Sequence, residues 1–593
     1  MALPHTYHDT DFCVVGGGIA GMFAAISAAR HGAKVVLMQE RPVLGGNASG
    51  EVRMWISGAS GKNNRETGLL EELRMRNSYR NPDKLYPIWD TLLYEMVACE
   101  PNIELFLNCS CMDAEMDGSR IVSVTGWQMT TQTFRHVRAR LFADCSGDSI
   151  LAPLTGAAYR VGREAASEFD EKVATEVADK RTMGNTCLIQ ARRMEEPSAF
   201  IAPAWATKLS PEALTFRHPD LNNPSENFWY LELGGDRDTI GDAEKIRDDL
   251  IALALGMWDY IKNSGEFPGA EYWQLDFLGF LPGKRESRRM IGDYILTQND
   301  ILSGGRFPDT VAFGGWPLDD HHPGGFYHKG HPNTWGDTPA PYGIPYRSLY
   351  SRNIENLFFA GRNLSATHAA LSSTRVMATC GLLGQAVGTA AAIAVERGIS
   401  PRGVYEQYLS RLRETLMYDD SFLPFTRRAM SPLTLSGRLI SDDTDAQLNN
   451  LRNGADRNNW TYGDTEQGYF CAADSTVSYT WERPEYVNRV RLLFDSDLDR
   501  VTLPIDNWVE RIHSMRSNVY KNAPRLCMPK TLMKSYSVEA LTVDGWVTLA
   551  DECCNLRRLT VIPVGKTVSA VRIKLREDWG ARPKLHLFSF DVD

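Results

Sequence analysis

Four of the twelve histidines crowd into one stretch, GGWPLDDHHPGGFYHKGHPNTWGD: His321, His322, His328 and His331, with Asp319 and Asp320 just before them. A carboxylate beside an imidazole orients the ring and raises its basicity, so this segment could accept or donate a proton near neutral pH. Glycine and proline surround it, which predicts a loop, a frequent carrier of chemistry. Three readings fit: a catalytic or substrate-binding histidine, histidines satisfied by nearby backbone, or a metal site. The metal reading is the weakest, because the spacing matches no helical ligand pair and no thiolate joins it. Arg285, Arg288 and Arg289 in GKRESRRM offer guanidinium groups for a carboxylate or phosphate, or else form a solvated basic turn. His368 and Arg375 flank THAALSSTR and are further candidates for substrate contact. The candidate catalytic set is His321, with His322 as fallback, together with Arg285, His368 and Arg375.

What must position these groups is clearest near the N-terminus, in DFCVVGGGIAGMFAAISAARHGAKVVLMQER. Phe12 to Val15 is a short apolar, β-branched run and predicts a buried strand. Gly16-Gly17-Gly18-Ile19-Ala20-Gly21 fits G-x-G-x-x-G, the alanine-rich run Met22 to Arg30 predicts a helix, and Lys34 to Met38 predicts a second strand. Gly16 allows a tight turn, Gly18 lets backbone approach a pyrophosphate, and Gly21 lets helix and strand pack closely. The helix N-terminus then offers N–H groups and a partial positive charge to the phosphates. Glu40, at the end of the second strand, is placed to accept from ribose hydroxyls. Strand, glycines, helix and acid together predict a dinucleotide site.

Several further segments resemble one family. Gly45-Gly46-Asn47 follows the acidic residue as in flavoproteins, where this loop folds back over the pyrophosphate and ribityl chain. ARLFADCSGDSILAPLTGA, ESRRMIGDYILTQNDI, GGWPLDDHH and the long block YGIPYRSLYSRNIENLFFAGRNLSATHAALSSTRVMATCGLLGQAVGTAAAIA resemble FAD-dependent oxidoreductases with a glutathione-reductase-type FAD fold. These are related more distantly to fumarate reductase flavoproteins. The resemblance runs from about Asp11 to Pro424. It implies FAD contacts at Gly16, Gly18, Ile19, Ala20, Gly21, Glu40, Arg41, Gly45, Gly46, Asn47 and Met112. Ser146, Gly147, Asp148, Gly361, Arg362, Asn363, Val376 and Met377 complete the implied set. Arg362 and Asn363 stand where many such proteins have an acid, so another group must replace that contact. A small-residue helix from about Val376, with Gly381, Gly384 and Gly388 spaced for close packing, would aim its N-terminus at the flavin. In the P-x-D-x-H block the histidine is His321. No histidine lies between His31 and His136, so noncovalent FAD is expected.

The expected architecture is an α/β FAD-binding Rossmann-type domain with an inserted α+β substrate domain and a C-terminal all-β jelly-roll sandwich. The expected boundaries are 1–160 and 341–424 for the FAD domain, 161–340 for the cap and 425–593 for the sandwich. In the last region short alternating runs such as KSYSVEALTVDGWVTLAD and AVRIKLRED replace helical patterns. LRNGADRNNWTYGDTEQGYFCAADSTVSYTWERPEYVNRVRLLFD resembles galactose-binding-like domains, which implies a glycan as ligand, with Trp460, Tyr462 and Trp508 as stacking candidates against a bland role in core or interface. The sandwich could instead cover the active site or join subunits of a homo-oligomer. The net charge, 64 − 74 = −10, argues against nucleic acid or an anionic membrane as a general partner. No run of about 18 apolar residues predicts a membrane span. The first residues lack a basic and apolar leader pattern, and the odd count of eleven scattered cysteines reads as reduced thiols, so a cytoplasmic location is expected. The expected function is hydride transfer between a small polar, carbohydrate-derived substrate and flavin N5. The alternatives are reduction of an activated C=C bond in a carboxylate substrate, and a carbohydrate-binding protein with a structural flavin domain.

Overall fold

The computed structural model describes residues 3–223, 226–505, 511, 513, 515–520 and 522–593. The chain divides into two compact units: residues 1–60, 84–412 and 513–524 form one, and residues 61–83, 413–512 and 525–593 form the other.

The first unit is built on a seven-stranded sheet. Strands β1 (His5–Val15), β2 (Val35–Met38), β3 (Ile103–Phe106), β4 (Cys109–Asp117), β5 (Arg120–Gln128) and β6 (Thr133–Asp144) take the order β3-β2-β1-β6-β5-β4, and Leu357–Phe359 also pairs with β6. β1 is longer than the apolar run Phe12–Val15 suggested. Only Phe12–Val15 lies between two strands, pairing with both β2 and β6. Its polar first half pairs with β6 alone and alternates exposed and half-buried, so it lacks the apolar signature of a central strand. At its C-terminal end β6 pairs in parallel with Leu357–Phe359, which brings the late segment back beside the glycine loop.

Helix α1 (Ile19–Arg30) and the helix Met377–Arg397 pack almost backbone to backbone. A Cβ on Gly384 would lie 2.0 Å from the Ala20 carbonyl oxygen, and one on Gly388 would lie 2.2 Å from that of Ala24. The glycines of GLLGQAVG are therefore contact points. Met377–Arg397 is long and apolar enough to cross a membrane, with a mean hydropathy of 1.5 in its most apolar window, but 94% of that window is buried inside the protein. Thr379, Gln385 and Thr389 interrupt its apolar residues, so the sequence holds no unbroken apolar run there.

The expected cap does not form a separate compact unit; its small sheets and the helix Ala243–Asn263 belong to the same unit as the seven-stranded sheet. Ile246, Leu250, Leu253, Met257, Trp258 and Ile261 form the buried stripe of that helix, at helical spacing, against Phe228, Leu231 and Trp273. Leu318–His321 forms a hairpin with Asn333–Gly336, so the expected loop begins inside a strand. Buried aspartate and histidine, rather than apolar residues, occupy its alternating positions and conceal it.

In the second unit, among the described residues, six strands form one hydrogen-bonded path, and a seventh, Arg438–Ser441, pairs beside it with Thr476–Phe494. Two long strands, Thr476–Phe494 and Leu559–Asp578, carry it, and register shifts at Thr480/Glu485 and Val487/Arg489 interrupt their pairing. Tyr479, Leu492, Phe494, Ile573, Leu575 and Phe590 are among its buried core. The helix Leu69–Arg80, far away in sequence, belongs here: Met75 enters that core, and Glu71, 1% exposed, receives Arg500 at 2.8 Å. The boundary expected near residue 425 was therefore incomplete, because residues 61–83 are part of the C-terminal unit and 513–524 are not. Trp460 is exposed and meets Phe425 edge to face, whereas the Tyr462 hydroxyl is turned to the Thr426 carbonyl. Trp508 lies outside the described residues.

Candidate active site

The glycine loop has the geometry its spacing implies. Gly16 has φ +104°, and a Cβ there would fall 2.4 Å from the Cys145 backbone; one on Gly21 would fall 1.8 Å from the Gly16 oxygen. Gly18 is different: a Cβ would meet nothing nearer than the Gly46 Cα at 3.9 Å, so the space above it is open. Ile19 and Ala20 start α1 beside it. Gly45 and Gly46 both have positive φ, and the Gly45 N–H donates to the Gly17 oxygen at 2.8 Å, so the second glycine pair folds back onto the first. Glu40 is exposed just past β2, while its neighbour Gln39 turns inward and accepts from the Gly17 N–H at 2.8 Å. Arg41 reaches Glu51 at 3.5 Å, yet its Nε is buried with no hydrogen-bond partner among the described residues. Asn47 donates to the Lys284 oxygen at 3.0 Å, and Met112 is exposed on β4.

The segment after β6 completes this wall. Asp144, fully buried, accepts from the Ser146 hydroxyl at 2.7 Å and from the Leu151 N–H at 2.7 Å, while the Asn363 amide donates to its backbone oxygen. Gly147 and Gly361 make positive-φ turns. Asp148 bridges Arg362 and Lys284, each at 2.5 Å. Burial alone would raise the Asp148 carboxyl, but Arg362 and Lys284 override it and hold it well below the usual range. Asp148 thus brings an acid from another segment beside the Gly361-Arg362-Asn363 turn. Val376, in extended conformation, precedes Met377 at the start of the long helix, which no side chain caps.

Two ionic clusters lie on opposite sides of Leu318–His321, because successive side chains of a strand point to opposite faces. On one side His321, 3% exposed, contacts Glu232 through Nδ1 at 2.6 Å and Asp319 through Nε2 at 3.4 Å. Arg375 donates to Asp319 at 3.0 Å, which ties the cluster to the start of the long helix. Arg285 lies 3.4 Å from Glu232 and donates to the Thr186 hydroxyl and the Trp229 oxygen. Burial would raise the Glu232 carboxyl, but Arg285 and then His321 outweigh it and lower it. On the other side His368 is held between Glu286 at 2.9 Å and Asp320 at 3.0 Å. Burial opposes its charge, but the two carboxylates prevail and push the imidazole up to about 10.

These positions correct several expectations. His368, expected as a substrate contact, has both ring nitrogens on carboxylates and has no ring nitrogen free for a substrate. Arg285 is buried and supports Glu232 without an open face. His322 is not a substitute for His321: it follows the strand, is exposed, and stacks on His328 with ring centroids 3.5 Å apart. The three arginines also separate, since Arg289 is 1% exposed against Glu164 and Arg288 donates to the Asp148 oxygen. Glu232, Glu286, Gln39 and Asp144 were not foreseen as site residues. An acid inside the apolar run NFWYLELGG was the available signal for Glu232.

The family model for FAD dependent oxidoreductases matches residues 11–416, and the chain belongs to that family. The family is one of FAD-dependent oxidoreductases. A segment of 48 residues is 58% identical to the fumarate reductase (cytochrome) of Shewanella frigidimarina; the match spans 8% of this chain and 8% of that protein. Among solved structures, a geranylgeranyl bacteriochlorophyll reductase-like protein from Thermoplasma acidophilum is 12% identical with a TM-score of 0.31, covering 70% of this chain and 85% of that one. A family 32 carbohydrate-binding module of Streptococcus pneumoniae EndoD is 11% identical with a TM-score of 0.20, covering 28% of this chain and 99% of that one. The open approach above Gly18, and the buried Arg41 Nε and Asn363 Oδ1 that lack hydrogen-bond partners among the described residues, all fit FAD.

Proposed function

We propose that this oxidoreductase transfers a hydride between a small polar substrate and flavin N5, with His321 taking or returning the accompanying proton. The Glu232–His321 pair carries the reading. Glu232 contacts Nδ1 at 2.6 Å, which orients the ring and turns Nε2 toward Asp319. The contact from Nε2 to Asp319, at 3.4 Å, is longer than a good hydrogen bond and is open to replacement by substrate. Trp229 packs edge-on against the His321 ring, with centroids 5.2 Å apart. When bound, FAD supplies the two-electron hydride acceptor or donor. In the oxidising direction Nε2 takes the hydroxyl or amine proton while the adjacent C–H hydrogen leaves with its electron pair; in the reducing direction Nε2 returns that proton. Arg375, beside the helix start, orients a polar group of the substrate.

Anaerobic mixing of the oxidised protein with polyols and hydroxy acids tests this. Flavin bleaching should depend on one ionisation that is absent from His321→Gln, and an unchanged bleaching rate in that variant overturns the assignment. A second reading, reduction of an activated C=C bond in a carboxylate substrate, draws on Arg375, whose buried Nε has no hydrogen-bond partner among the described residues. Reoxidation of photoreduced protein by enoates alone would favour it. We further propose noncovalent FAD, from the histidine-free span His31 to His136, and a reducing, cytoplasmic location, from eleven unbridged cysteines. Glycan binding by the C-terminal unit is a proposal resting on its sequence resemblance.

A further inference from the structure

The outer side of the histidine hairpin carries a cleft of about 750 Å³, within the size range of small-molecule sites. Glu232 and His321 face the buried cluster, whereas the residues that follow them, Leu233 and His322, line the cleft. Its floor is apolar, with Leu233 and Ala252. Its lining carries charges of both signs: Asp236 and Lys329, and Arg237 paired with Asp249 at 2.8 Å. Two acids and two bases cancel, so an ion of either sign gains little. A lining with both donors and acceptors instead suits hydroxyl groups, each of which both donates and accepts. Tyr327, 62% exposed, adds an aromatic face for the C–H side of a ring.

The loop presenting these groups is built rather than loose. Arg217, only 3% exposed, donates to the carbonyl oxygens of Gly325, His328 and Gly330, each at 3.0 Å. Phe326 anchors the loop in the apolar core below. A Cβ on Gly325 would fall 2.2 Å from the Glu232 oxygen, so the loop lies directly on that strand. The stacked rings of His322 and His328, inclined by 12°, cannot aim their in-plane lone pairs at one metal ion. The Gly324 N–H donates to His322 Nδ1, which leaves the ring's N–H at Nε2 as a donor. A buried guanidinium spent on three carbonyls of an exposed loop is the mark of preorganisation for a ligand.

We infer that this cleft binds a neutral polyhydroxylated ligand, a saccharide or other polyol, on the outer face of the strand that carries His321. The test is titration of the whole FAD-loaded protein with maltose and D-galactose as neutral probes, citrate as an anion and spermidine as a cation. Saturation-transfer NMR and calorimetry are the readouts. A neutral probe should bind, and Asp236→Ala and Tyr327→Ala, both on exposed side chains, should each weaken it by about tenfold, the loss of roughly one hydrogen bond or ring contact. Arg217→Met should weaken it further and Arg217→Lys should restore part of the loss. Sugar binding that all of these variants retain would locate it elsewhere and overturn the inference. So would binding of citrate or spermidine in preference to both sugars, or no binding of either sugar.

Discussion

Substituting alanine at Gly18 and at Gly21 separates cofactor binding from folding by the direction of a single methyl group. At Gly21 the added Cβ would lie 1.8 Å from the Gly16 oxygen and 3.0 Å from the Cys145 Cβ. Neither side can retreat, because β1 is held by β2 on one edge and β6 on the other. Overpacking of this kind costs about 1–3 kcal/mol, and backbone overlap places it at the upper end. At Gly18 the Cβ meets only the Gly46 Cα at 3.9 Å, an ordinary contact, and φ is −67°, which alanine adopts freely. The folded protein should tolerate it. The methyl group would instead fill the space through which a pyrophosphate approaches the α1 N-terminus. Loss of one or two charge-assisted hydrogen bonds at about 1.5–3 kcal/mol each weakens FAD by roughly tenfold to ten-thousandfold. Thermal unfolding of the apoprotein and FAD titration by flavin fluorescence read the two effects independently. Gly21→Ala should melt earlier; Gly18→Ala should melt with the parent and bind FAD poorly. A Gly18→Ala protein that retains parental FAD affinity would refute the reasoning.

Other outcomes follow from the same geometry. His321→Ala should keep FAD but lose about 10²–10⁴-fold in turnover, while Glu40→Ala should weaken FAD and spare the rate of the loaded enzyme; flavin content and single-turnover kinetics distinguish them. His368 is raised from about 6.5 to about 10, so its stabilising charge is fully present below pH 6.5 and is lost as pH rises toward 10. Melting temperature should fall across that window, and His368→Gln should flatten this dependence while lowering stability at pH 6. Glu71→Gln leaves Arg500 buried without its counter-charge and should destabilise the C-terminal unit by about 3–5 kcal/mol in a denaturant titration. A fragment of residues 413–593 lacks the helix Leu69–Arg80 and should fail to show cooperative unfolding, whereas adding back residues 61–83 as a linked segment should restore it.

The sequence by itself determined the nucleotide fold, because that signal is local. Gly16, Gly18 and Gly21 act through backbone sterics within a few residues, and the flanking strand and helix follow from apolar runs a dozen residues long. The glycines of Met377–Arg397 were legible for the same reason, since close helix packing requires small residues at fixed spacing. Tertiary structure decided the rest where partners lie far apart in the chain. Glu232 and His321 are separated by 89 residues, and Arg500 and Glu71 by 429, so no spacing rule connects them. The strand Leu318–His321 was concealed because its buried positions hold charges satisfied by distant partners, not the apolar residues that mark a strand. Burial also set two imidazoles apart. His368 became a fixed cation because two carboxylates close on it from separate segments, while His321 kept a weakly held nitrogen. Which histidine can move a proton is set by the charges that folding brings against each ring, and those charges come from other parts of the chain.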